Sequence, residues 1–143
     1  MHGNQQRFSW FLYGVMLCAC VVVLLMTSGC QLTQSAFVQT TSNAGAAFAA
    51  AVITLNDVHE GKLTRAYAHS SFLNYQSELQ GLDQQLSAQP DAPNRRTVRQ
   101  LLAVYRPAMQ VVKQPCLDVS CDWHAQLSTL EHARDAFLQA GAE

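Results

Sequence analysis

The strongest constraint on this chain is a stretch without charge. Residues 8–29, FSWFLYGVMLCACVVVLLMTSG, hold no Asp, Glu, Lys or Arg in twenty-two positions. Wound as an α-helix at about 1.5 Å per residue, the run is about 33 Å long, enough for the roughly 30 Å hydrocarbon core of a bilayer. Such a segment either spans a membrane or directs the chain across one, so the fold must come from the residues C-terminal to it. Arg7 is the one charged side chain ahead of it, and the positive-inside tendency keeps that end in the cytoplasm. Everything after residue 30 is therefore expected on the extracytoplasmic side.

The rest of the 143 residues is one small domain's worth, and its apolar residues recur at steps of three and four. Ala44, Phe48, Ala51, Leu55 and Val58 predict a first helix, capped by Ser42 or Asn43 and stopped at Gly61. Phe72, Tyr75, Leu79, Leu82 and Leu86 predict a second over residues 63–87, broken by the two prolines of AQPDAPN, residues 88–94. Val98, Leu101, Tyr105, Ala108 and Val112 mark a third, with Asn94 as its cap, a kink expected ahead of Pro107, and Pro115 beyond its end. Trp123, Leu127, Leu130, Ala133 and Phe137 mark a fourth, with Ser120 expected as its cap and Asp122 in its first turn. No strand-like alternation competes. The predicted fold is all-α: an antiparallel four-helix bundle over residues 44–141, after a polar spacer over 31–43 and a signal peptide or single transmembrane anchor over 1–30.

The tetrapeptide Thr27, Ser28, Gly29, Cys30 resembles the lipobox of bacterial lipoproteins, in which small residues precede a cysteine that receives a diacylglycerol and becomes the mature N-terminus. Ser28 and Gly29 match that pattern, while Thr27 stands where the family usually carries Leu. The resemblance covers the targeting segment alone and implies lipidation at Cys30; the alternative is an uncleaved single-span anchor. It also implies how the five cysteines are used. Cys18 and Cys20 leave with the signal, Cys30 carries lipid, and Cys116 and Cys121 remain as a disulfide pair in an oxidising compartment. Such a bridge closes a short loop between the last two helices.

The formal net charge of -1 argues against a nucleic-acid binder, whose affinity comes from neutralising phosphates. No phosphate-cradling glycine loop, nucleophile elbow or paired acids is present, so no catalytic residue is assigned and no enzyme is expected. Paired Glu-x-x-His helices and Cys-x-x-Cys-His are absent too, and no cofactor is assigned. Cys116, Cys121, His124 and His132 form a loose metal-ligand pattern, for which a disulfide with two solvated histidines is the more ordinary reading. His59 and His69 read as surface histidines.

Arg95, Arg99, Arg106 and Lys113 fall at steps of four, seven and seven, a basic stripe along one side of the third helix. An anionic partner surface is one reading of the stripe; pairing with Glu131 and Asp135 of the fourth helix, or Glu78 and Asp83 of the second, at the bundle edges is the more ordinary one. The resulting expectation is a non-enzymatic binding or scaffolding protein of the cell envelope, held at the membrane by its N-terminal anchor and meeting a protein partner. An accessory single-span subunit of a membrane complex and a metal-binding or carrier protein are the alternatives.

Overall fold

The computed structural model describes residues 35–88 and 95–142. The expected anchor, Cys30 and the Asn94 cap lie outside the described residues. No helix among those described is long and apolar enough to cross a membrane. The described chain is all-helical: α1 (Ala36–His59), α2 (Arg65–Leu79), α3 (Leu82–Ala88), α4 (Arg95–Lys113) and α5 (Trp123–Ala142). Taken together, α2 and α3 make one arm of a four-helix bundle.

The first helix begins earlier than its apolar stripe suggests. Ser35 Oγ accepts from the Val38 N–H at 3.2 Å and caps it, so the expected spacer loses residues 36–43 to the first two turns of α1. Thr40 and Thr41 fold their hydroxyls back onto the Ala36 and Phe37 carbonyls at 2.8 and 3.0 Å, which lets a polar-looking stretch enter a helix. Phe37 and Thr41 are buried there. At the other end Gly61, with φ +74, turns the chain out of the helix in the left-handed conformation that favours glycine.

Two further boundaries differ from expectation. The second arm is interrupted at Gln80 and Gly81, where Gly81 adopts φ +82. Its apolar stripe nevertheless stays in register, with Phe72, Leu79, Leu82 and Leu86 all buried. Asp122, rather than Ser120, caps α5, its Oδ1 accepting from the Ala125 N–H at 3.0 Å. Helix α4 runs from Arg95 to Lys113 with Pro107 inside it.

Contacts between helices set their directions. Along α1 and α5, Ser42 faces Gly141, Gly45 faces Leu138, Phe48 meets Phe137 and His59 meets Trp123, so the two run antiparallel. Phe48 also meets Tyr105, and His59 the Cys116 carbonyl, so α1 and α4 run the same way. Gly45 and Gly141 allow α1 and α5 their close approach, since a Cβ on Gly45 would stand 2.7 Å from Leu138 Cδ2 and one on Gly141 2.7 Å from Ser42 Oγ. In the core between them Phe48 packs on Phe137 at 5.6 Å and edge-on to Tyr105 at 6.3 Å between ring centres. Each of these three rings is buried.

Candidate functional site

Helix α4 separates its two kinds of residue cleanly. Leu101, Tyr105, Ala108 and Val112 are buried, and Arg95, Arg99, Arg106 and Lys113 are exposed on another side. Among the described residues, none of the acids that could have neutralised the stripe forms an ion pair with it. Asp135 pairs with Arg134 of its own helix at 2.8 Å, an interaction that draws the Asp135 carboxyl below its ordinary pKa and pushes Arg134 up. Among the described residues none of the four cations of the stripe is in an ion pair. Arg99 Nε donates to the Arg95 carbonyl, at 3.3 Å.

Arg106 and Lys113 form one wall of a cleft of about 410 Å³ between α4 and the second arm. Opposite them stand Gln76, Gln80 and Gln84, with Gln110 on the α4 side. Asp83 also lines the cleft; its Oδ1 is buried and has no hydrogen-bond partner. At its inner edge the Tyr105 hydroxyl donates to the Leu79 carbonyl at 2.8 Å. That bond receives one of the last carbonyls of α2, which the break at Gly81 leaves without a helical partner. Burial, with the Asp83 carboxylate adding to it, holds the Tyr105 hydroxyl protonated above its ordinary range.

The far end of the bundle is stapled. Cys116 and Cys121 form a disulfide with their Cα atoms 5.9 Å apart. The loop is tied on three further sides. His59 Nε2 shares a 2.7 Å hydrogen bond with the Cys116 carbonyl, the Cys116 N–H donates to Gln126 Oε1 at 2.7 Å, and Arg65 pairs with Asp118. The Trp123 ring stacks against both His59 and His124, at 4.4 and 3.8 Å between ring centres.

This arrangement places each residue of the loose metal pattern. The two cysteine sulfurs are bonded to one another, His124 lies on Trp123, and His132 lines a separate cleft beside Thr97 of α4. Among the described residues no group of three or more His, Cys, Asp or Glu converges as metal ligands do. His69 is exposed, as expected, but His59 is half-buried and built into the staple. Its role has no local signal, because its partners come from the other end of the sequence. Asp83, expected only as a possible partner of the stripe, lines a cleft beside Arg106 and Lys113 instead, and no spacing in the sequence marks it for that place.

No protein-family model matches the chain, and no curated protein or solved structure is significantly similar to it. The site must therefore be read from its own chemistry. It offers two cations on flexible stems, a carboxylate and four primary amides, each amide able to donate and accept. Groups of these kinds can hold and orient a polar or anionic ligand.

Proposed function

We propose that this chain is a membrane-tethered, extracytoplasmic helical module that binds or scaffolds another protein of the cell envelope, and that the basic side of α4 is its partner surface. The observation that carries this reading is the unpaired state of Arg95, Arg99, Arg106 and Lys113 among the described residues. Four exposed cations in one row repel one another, and an anionic partner relieves that repulsion while steering its own approach. The closed disulfide supports an oxidising compartment. The uncharged run ahead of the domain, with the lipobox-like Cys30, supports the tether.

The test is in-membrane cross-linking from a photo-reactive residue at Gln110, beside the stripe, read in the native host. The reading expects a discrete cross-linked protein that disappears when Arg95, Arg99, Arg106 and Lys113 are all changed to Glu, and persists in the control Lys62→Glu. Cross-linking that is equally strong in both variants sinks the assignment of this face.

A further inference from the structure

Resting on that reading, we infer that the cleft between α4 and the second arm takes an extended acidic peptide segment, whose carboxylates meet Arg106 and Lys113 and whose backbone N–H groups meet Asp83 and the glutamines. Three observations select this ligand from the anions that a basic stripe could attract.

The first is shape. The cations border a concave cleft of about 410 Å³, which a flat bilayer surface cannot enter but a single chain can. From Tyr105 to Lys113 the cleft follows α4 for about 12 Å at 1.5 Å per residue, the length of about four residues of extended chain. The second is the amide lining. Gln76, Gln80, Gln84 and Gln110 each present a donor and an acceptor, which match the alternating C=O and N–H groups of a peptide backbone; a phosphate polymer could use only the donors. The third is Asp83. A carboxylate lining the cleft beside two cations repels phosphate, and as a group that only accepts it suits a ligand that brings an N–H donor. A peptide carrying acidic side chains supplies both signs of charge complement at once; a polyphosphate supplies one.

The experiment uses the full chain extracted in detergent and a fluorescent peptide alternating Glu and Ala, with the same peptide N-methylated along its backbone, inorganic polyphosphate and anionic-lipid vesicles as competitors. Saturable binding of the Glu/Ala peptide is expected, weakened about tenfold or more by Arg106→Gln with Lys113→Gln, and weakened similarly by N-methylation. Asp83→Ala provides the sharpest arm, because it should weaken the peptide severalfold while strengthening polyphosphate. Circular dichroism of each variant checks that it folds. No saturable peptide binding, an N-methylated peptide that binds equally well, or Asp83→Ala that strengthens both ligands overturns the inference. If the peptide fails while the native cross-link at Gln110 still depends on the stripe, the partner-surface reading stands and only its peptide form falls. If both fail, both fall.

Discussion

Replacing Gly45 by alanine puts a methyl group 2.7 Å from Leu138 Cδ2 and 2.8 Å from its Cγ, with the Leu138 backbone nitrogen at 3.2 Å. Helix propensity alone would make the substitution stabilising by about 1 kcal/mol, because alanine loses less backbone freedom than glycine. Overpacking a helix contact costs about 1–3 kcal/mol. Leu138 is 43 % exposed, so its side chain can swing outward and hold that cost near about 2 kcal/mol. The backbone nitrogen cannot swing, and α5 must give way by a few tenths of an ångström. The net expectation for Gly45→Ala is a loss of about 1 kcal/mol, and for the bulkier Gly45→Val about 3 kcal/mol. Urea unfolding of the full chain in detergent measures this as a lower midpoint at unchanged slope. The two positions must also be coupled: in a Leu138→Ala background, where the two nearest obstructing atoms are gone and only the backbone contact at 3.2 Å remains, Gly45→Ala should cost nothing or stabilise, a coupling of about 1 kcal/mol or more. A gain of about 1 kcal/mol in both backgrounds would refute the close approach of α1 and α5 on which the bundle's packing rests.

Opening the staple with Cys121→Ser should cost about 2 kcal/mol through the loop entropy returned to the unfolded chain; reductant should lower the unfolding midpoint of the wild type and leave the variant unmoved. Gly81→Ala should cost about 1–2 kcal/mol, because any side chain is strained at its left-handed φ; calorimetry reads this as a lower melting temperature. For Tyr105, burial and Asp83 raise the folded pKa above the unfolded value near about 10. The stability this represents is fully present below about pH 10 and is lost as pH rises through the folded value. Tyr105→Phe should therefore lose about 1 kcal/mol at neutral pH with the bond to Leu79, yet show a shallower fall in midpoint than wild type between about pH 9 and about pH 11.

The all-helical class was legible because burial on a helix leaves a three-and-four rhythm that survives without any partner in view. Phe48, Phe72, Leu101 and Leu130 each lie in a predicted stripe and each is buried. The start of α1 was not legible, since Thr40 and Thr41 read as spacer until their hydroxyls are seen to bond within the helix. The break at Gly81 was hidden for the opposite reason: Leu79 and Leu82 keep helical spacing across it, and only the backbone turns. Ser120 and Asp122 are both competent caps, and a small difference in where the helix starts decides between them. The basic stripe was visible in spacing alone, but its freedom from ion pairs was not. Whether Asp135 faces Arg106 or Arg134 depends on how the helices are rotated about their axes, which the rhythm of one helix does not encode. The packing of His59 against Trp123 joins the end of α1 to the start of α5, a contact only the closed bundle creates.

A domain tethered at a membrane and oxidised on its outer side is the central claim, and the intact mass of the protein extracted from its native membrane tests it most directly. Spectra are taken before and after reduction and alkylation. The expected result is a chain beginning at Cys30 with acyl groups attached, or one that retains residues 8–29, and in either case Cys116 and Cys121 become alkylated only after reduction. An unacylated chain lacking residues 1–30, with both cysteines alkylated before any reductant is added, would contradict it.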